Sequence, residues 1–401
     1  MRIGYLTGTY PRATDTFIQR EIFALRDRGL EVKTFAVRRP SAAQLVGEEQ
    51  RQECDRTYYL LPPQLPQLIQ DHLALFFQSP GRYWAGLKLA QRTSQPGLRG
   101  LLYQWVYFVE AGSLARQLQQ QNIDHLHNHL GDSSCSVAML AAHLGDRPYS
   151  FTLHGPYIFY DPYRWHVGTK IEQARFVICI SHFCRSQAMY FAPFTAWSKL
   201  NIVHCGVDPQ LFPLVRHQGV GNRLLYVGRL SAAKGLPILL DSLSQLKSDY
   251  PDLCLTVVGD GEDRQILEQL TVQRGLEKHV KYVGYKSQAE VRDAMQHTDV
   301  FVLPSFAEGV PVSLMEAMAA GVPVVTTRIA GISELVDDGV SGYLVPPGDS
   351  EELTLKICRL LDQPELRSQF GSAGRAKVEA EFNIHIEANR LHQVLIESCS
   401  A

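Results

Sequence analysis

The sequence has no run approaching the roughly 20 apolar residues of a membrane span. Its opening, MRIGYLTGTYPR, reads as a strand and turn rather than a signal peptide, and the cytoplasm is the expected location. There is no C-x-x-C either: cysteines 54, 135, 179, 184, 205, 254, 358 and 399 are scattered, several inside apolar runs such as RFVICIS and LCLTVV. Packed, reduced thiols fit that pattern. Net charge is only −2, and no basic stripe interleaved with aromatics occurs, which argues against nucleic acid as a partner. No D-x-D triplet exists to clamp a diphosphate through a metal, and no G-x-G-x-x-G follows a strand, so a dinucleotide dehydrogenase is a weak reading.

What remains is ordinary globular composition, 401 residues with 45% hydrophobic and 20% charged. That length is too great for one core, and two α/β domains of about 200 residues each are expected. Residues 1–210 hold 21 Lys and Arg against 16 Asp and Glu, and the remainder hold 18 against 25. The basic excess of the first half fits an anionic lipid or acceptor surface, or simply neutral variation.

Short β-branched runs alternate with helical patterns in both halves, the signature of parallel sheets covered by helices. Strands are expected at Arg2 to Leu6, Val32 to Val37, Asp124 to His127, Tyr149 to Leu153, Phe176 to Ile180 and Asn201 to His204. The second half offers Leu224 to Val227, Leu255 to Val258, Val280 to Val283, Val300 to Leu303 and Pro323 to Thr326. GVDPQLFPLVRHQGVGN, with three glycines and two prolines, reads as a linker. The expected organisation is a domain over 1–205, a linker over 206–222, a second domain over 223–380 and a C-terminal helix over 381–401, with the first domain as one place for it to pack. Arg375 to Leu395 is helical in pattern. Residues 40–100 are less regular, and Tyr83, Trp84, Lys88, Arg92 and Arg99 fit either an amphipathic surface or internal packing.

The chemistry concentrates in FAEGVPVSLMEAMAAGVPVV. Glu308 falls in a loop after an apolar strand and Glu316 in the early turns of the following helix. Two carboxylates at the carboxyl end of a parallel strand suit the hydroxyls of a sugar and a ribose. In LLYVGRLSAAKGLPILLDSL, Arg229 and Lys234 precede a helix with Pro237 at its first position. Cations beside free amides and a helix dipole make a diphosphate site. In IDHLHNHLGD, His125, His127 and His129 alternate at strand spacing and so share one face. Zinc is a tempting ligand for them, but no further Cys or carboxylate has suitable spacing.

Together, Gly228-Arg229, Lys234-Gly235, VVGDGEDR and the Glu308/Glu316 pair resemble the retaining GT-B glycosyltransferases of the group 1 (GT4) type, over nearly the whole chain. TYPRATDTFIQREIFALRDRGLEV and IDHLHNHLGD further resemble the subgroup that builds exopolysaccharides such as colanic acid. The resemblance implies two doubly wound Rossmann-like domains facing across a cleft, whose closing excludes water. It implies transfer of a hexosyl group from a UDP- or GDP-sugar to a saccharide or lipid-linked hydroxyl with retention, without a metal or other cofactor. Arg229 and Lys234 would neutralise the diphosphate, Glu308 would contact the sugar and Glu316 the ribose. Gly309 and Val310 would offer amides to the sugar, and Gly284 and Tyr285 would wall the base. His154, in FTLHGPYIFYD, would sit near the reacting carbon, with His127 and His129 toward the acceptor.

One departure from the family is Thr7-Gly8-Thr9-Tyr10 in place of a Gly-Gly turn, which leaves Gly8 alone to meet the donor. Asp15 reads equally as an acceptor contact or as the cap of the helix from Phe17. The inner face of the membrane is an alternative to the free cytoplasm. Rival readings are a non-hydrolysing nucleotide-sugar epimerase and a non-catalytic sugar-nucleotide-binding protein.

Overall fold

A computed structural model describes residues 1–12, 16–45 and 47–400. It divides into two compact units, one formed by Met1–Val203 with Ala388–Ala401 and the other by His204–Glu387.

Among the described residues, the first unit is built on β1 (Arg2–Thr9), β2 (Glu31–Arg38), β3 (Tyr58–Tyr59), β4 (His125–His129), β5 (Tyr149–Leu153), β6 (Phe176–Cys179) and β7 (Leu200–Ile202). All pair in parallel, in the order β3-β2-β1-β4-β5-β6-β7. Parallel strands need crossovers, and helices supply them on both faces, so β5 and β6 are buried at every residue. The helix Thr16–Asp27 turns Ile18, Ile22 and Leu25, at i, i+4 and i+7, into a core shared with Ile3, Tyr5 and Ile178. Leu391 and Leu395 from the closing helix complete that core.

The second unit repeats the plan with β8 (Arg223–Val227), β9 (Cys254–Val258), β10 (Val280–Gly284), β11 (Val300–Leu303), β12 (Val324–Thr327) and β13 (Gly342–Val345). Their order is β10-β9-β8-β11-β12-β13, again all parallel. Two α/β units of the doubly wound kind are therefore present.

Four details differ from the sequence reading. The strand Tyr58–Tyr59 was too short to carry a period, and the strand Gly342–Val345 was not expected. The irregular stretch before residue 100 holds the helices Glu48–Arg56, Leu65–Gln78 and Pro80–Arg92. The helical pattern from Arg375 to Leu395 spans two helices, Pro364–Glu381 and Ile384–Ser400. They break where Val207 bridges to Asn383, its amide donating to Phe382 and its carbonyl accepting from Ile384. Residues 206–222 belong with the second unit, where the Val215 amide donates to Ala320 and the Gly221 amide to Leu361.

Candidate functional site

In a doubly wound sheet, ligands lodge outside the carboxyl ends of the two strands that flank the reversal of strand order. In the second unit those strands are β8 and β11. The segment after β8 carries Arg229 and Lys234 into the helix Leu236–Leu246, in which Pro237 is the second residue. The segment after β11 carries Glu308 to the helix Val312–Ala319, which contains Glu316.

Backbone contacts lock these two segments together. The amides of Phe306 and Ala307 donate to the Ala233 carbonyl at 2.8 and 3.3 Å. Gly235, at φ +64°, lies so close to Pro304 that a Cβ there would stand 2.0 Å from its carbonyl oxygen. Glycine alone meets both demands. Lys234 Nζ thereby donates to Glu308 Oε1 at 2.6 Å, and Ser305 Oγ donates to the same oxygen at 2.7 Å. Glu308 and Glu316 are 7% and 3% exposed, so the first carboxylate is buried but satisfied by an ammonium and a hydroxyl. Burial, then the nearby Glu308, pushes the Tyr226 phenol well above its ordinary range.

Arg229 does not meet Lys234 at this carboxylate. Its Nε donates to Glu262 at 2.9 Å, in a pair whose side chains are 63% and 54% exposed. Ion pairs so exposed hold weakly, which leaves the guanidinium ready to exchange partners. Gly259 and Gly261 of VVGDGED bring that segment against the Arg229 loop: a Cβ on either would lie 2.0 Å from the Gly228 oxygen or 2.2 Å from that of Leu230. The Gly284 carbonyl accepts the Gly259 amide, and half-exposed Tyr285 follows with its hydroxyl 3.4 Å from the Asp260 carbonyl. Gly309 is partly exposed and Val310 buried, and the Gly309 carbonyl accepts the Gly331 amide.

In the first unit the reversal lies between β1 and β4. β1 runs to Thr9, past the expected end at Leu6, so Gly8 is the penultimate strand residue. A Cβ at Gly8 meets nothing within 4 Å, and packing does not require glycine there. Asp15 lies outside the described residues.

The three histidines of β4 are fully buried and do share one face, with the His127 and His129 rings 5.3 Å apart. Hydroxyls on β5 meet the first two. His125 Nε2 and His127 Nδ1 lie 2.6 and 2.7 Å from Ser150 Oγ, and His127 Nε2 lies 2.9 Å from Thr152 Oγ1. The acceptor-facing expectation for His127 is corrected: its ring is enclosed and both nitrogens are occupied. His129 is equally buried, but its bonds lead to the end of β5, with Nε2 2.9 Å from Glu21 Oε1 and Nδ1 2.9 Å from His154 Nε2.

That chain has a direction. The Glu21 carboxylate only accepts, and the Tyr5 hydroxyl already donates to the same oxygen at 2.9 Å. His129 must therefore carry its proton on Nε2, and in the neutral ring Nδ1 then accepts from His154 Nε2. Burial, followed by the neighbouring His129, holds partly exposed His154 well below the ordinary imidazole range. His127 is lowered likewise by burial and its three histidine neighbours, and His125 falls to about 4 through burial and Arg175.

Glu21 also corrects the zinc argument. The fold brings a carboxylate to the histidines, and Glu21, His127 and His129 place ligand atoms within 4.8 Å of one another. A metal there would have to displace hydrogen bonds that engage both nitrogens of each ring.

Glu21, Ser150, Thr152 and Ser305 escaped the sequence reading. Glu21 alone left a trace, as an acid one turn after Phe17, whose ring packs 4.7 Å from that of His154. A cavity of about 640 Å³ lies elsewhere in this unit, lined by Pro148, Arg175 and Lys199 at the amino ends of β5, β6 and β7. It contains none of the expected site residues.

Comparison with known proteins agrees with the fold. A family model described as Glycosyl transferases group 1 matches residues 214–377, and one described as Glycosyltransferase Family 4 matches residues 15–211. The chain is 37% identical over 205 residues to the amylovoran biosynthesis glycosyltransferase AmsK of Erwinia amylovora, a match covering 49% of this chain and 50% of that protein. The chain thus spans about half the length of that relative. It is 28% identical over 424 positions to the putative colanic acid biosynthesis glycosyltransferase WcaL of Escherichia coli, covering 98% of this chain and 99% of that one. Among solved structures, HepE of Anabaena in complex with UDP and glucose has the same fold, with a TM-score of 0.75 at 19% identity over 99% of this chain and 100% of that one.

Proposed function

The chain belongs to the glycosyltransferases that these two models describe, and we propose that it moves a hexosyl group from a nucleotide-diphosphate sugar, UDP- or GDP-linked, to a hydroxyl of a saccharide or lipid-linked acceptor, with retention. Exopolysaccharide or glycolipid synthesis is the setting that AmsK and WcaL suggest by their names. The observation that carries this reading is the Lys234–Glu308 contact of 2.6 Å beside the β8/β11 reversal. There an ammonium for phosphate and a carboxylate for sugar hydroxyls stand side by side.

In the reaction, the bond from the anomeric carbon to the diphosphate oxygen breaks and its electron pair leaves with the diphosphate. Lys234, Arg229 released from Glu262, and the amino end of the helix Leu236–Leu246 stabilise that charge. The acceptor hydroxyl bonds to the same face of the carbon and its proton passes to the departing phosphate oxygen. Glu308 and the Gly309 and Val310 amides hold the sugar, Glu316 the ribose, and Gly284 and Tyr285 the base. Gly8 is assigned to the donor phosphate and His154 to the reacting carbon, as the likeness to the family implies. His129 acts through His154, and no step is assigned to a metal.

Product stereochemistry by NMR tests the scheme. A product linkage matching the donor anomer supports it, and an inverted linkage overturns it. Unchanged turnover after dialysis against EDTA is expected, and loss restored by a divalent cation would contradict the metal-free assignment.

A further inference from the structure

The helices Leu65–Gln78, Pro80–Arg92 and Leu98–Gln120 pack on one another and present an outer surface that is both apolar and free of acid. On the first, Leu65, Ile69, Leu73 and Phe77 repeat every four residues and are 66, 60, 50 and 76% exposed. On the third, Leu98, Leu102, Trp105, Val106 and Val109 fall within one helical stripe and are 81, 61, 48, 50 and 38% exposed. Amphipathic helices bury such rows against a core, yet here the buried sides are made by other residues, such as Leu75, Phe108 and Leu114. The middle helix adds Trp84, Lys88 and Arg92 at i, i+4 and i+8, all exposed. The first and third helices are neighbours, since His72 reaches the Val109 carbonyl at 3.1 Å and Gln119 reaches Gln78 at 3.3 Å.

The charges select the occupant. From residue 57 to residue 123 the acids are Asp71 and Glu110, both buried, against the cations Arg82, Lys88, Arg92, Arg99 and Arg116; Arg82 pairs with Asp146 at 2.7 Å, which leaves Lys88, Arg92 and Arg99 as the exposed cations of these helices. A second copy of this chain would set like charges against each other on such a surface. An anionic bilayer would instead take the cations at its headgroups and the leucines, tryptophans and phenylalanine at the acyl boundary. We propose that this three-helix face docks the protein on an anionic lipid membrane. The contact is peripheral, since among the described residues no helix is long and apolar enough to cross.

The test is flotation of the whole chain with vesicles of phosphatidylcholine carrying phosphatidylglycerol, beside phosphatidylcholine alone. Binding to the anionic vesicles that weakens with salt is expected, with roughly tenfold or greater loss in Lys88→Glu/Arg92→Glu and in Ile69→Ser/Val106→Ser. These side chains are exposed and lie outside the proposed sugar site, so donor turnover with a water-soluble acceptor should not change in either variant. That separates failure of this surface from failure of the glycosyl-transfer reading. Equal binding to both vesicle types, no loss in either variant, or a dimer abolished by Ile69→Ser/Val106→Ser without vesicle binding would each overturn the proposal.

Discussion

The two units set their candidate site residues at the same place in the same kind of sheet, yet hold them by different means. In the second unit, adjoining loops are joined by backbone bonds and one left-handed glycine, and the result is a charge pair, Lys234 with Glu308. In the first, buried imidazoles on β4 are tied to hydroxyls on β5 and, across 108 residues of chain, to Glu21. A charge pair on loops can trade partners when a charged ligand arrives. A buried hydrogen-bond chain cannot without leaving polar atoms unsatisfied, so it suits orientation rather than capture.

The largest expected effect that separates the units is acid lability. Burial keeps His125, His127 and His154 neutral in the folded first unit. Well above pH 6.5, the ordinary imidazole pKa, they are neutral folded or unfolded and contribute no pH dependence. As the pH falls from there toward 4, only the unfolded chain takes up the protons, so stability drops by about 1.4 kcal/mol per unit for each ring. Glu110, raised to about 7 by burial, works in the opposite sense below pH 7 and offsets roughly one histidine. The net loss between pH 6.5 and 5 is on the order of 3 kcal/mol. Hydrogen exchange at pH 5 and 7.5 should show the first unit loosening more than the second, and equal loosening would break the contrast.

Next in size is Glu308→Ala, for which kcat is expected to fall about 10²-fold or more, because the carboxylate is assigned to the reacting sugar. Release of the nucleoside diphosphate measures it, and a rise in KM with kcat unchanged would remove Glu308 from that role. Gly235→Ala should cost about 1–3 kcal/mol through strained φ and collision with Pro304. Gly8→Ala should stay within about 0.5 kcal/mol, since nothing lies near a Cβ there. Melting temperatures of the two variants compare them directly, and equal shifts would count against the backbone account of the second unit. The smallest effect belongs to Glu21→Gln, with a threefold to tenfold loss in kcat, roughly, and little change in donor KM. A pH–rate profile displaced relative to the parent marks repositioning of His154, whereas a uniform loss without displacement would leave Glu21 only structural.

The same contrast explains what the sequence disclosed. Lys234, Glu308 and Glu316 fall within segments whose spacing carries their meaning, and the alternating pattern sufficed for the doubly wound sheets. Arg229 was placed in the correct loop, but its resting partner Glu262 depends on side-chain geometry that spacing does not encode. The three histidines were visible on one face, whereas the enclosure of His127 and the arrival of Glu21 follow from strand neighbours and a crossover helix. The short strand β13 and the break at Asn383 depend on tertiary contacts, which override local pattern.

Donor binding tests the central assignment most directly. Thermal shift of the parent chain with UDP-, GDP- and ADP-sugars, followed by calorimetry on Lys234→Ala, should find one class that binds saturably. At a ligand concentration 100 times Kd it should stabilise by about 2.7 kcal/mol, and Lys234→Ala should bind it at least tenfold more weakly, roughly the loss of one charged contact to phosphate. Equal affinity in the variant, or no stabilisation by any sugar nucleotide, would contradict the assignment of this site to the donor.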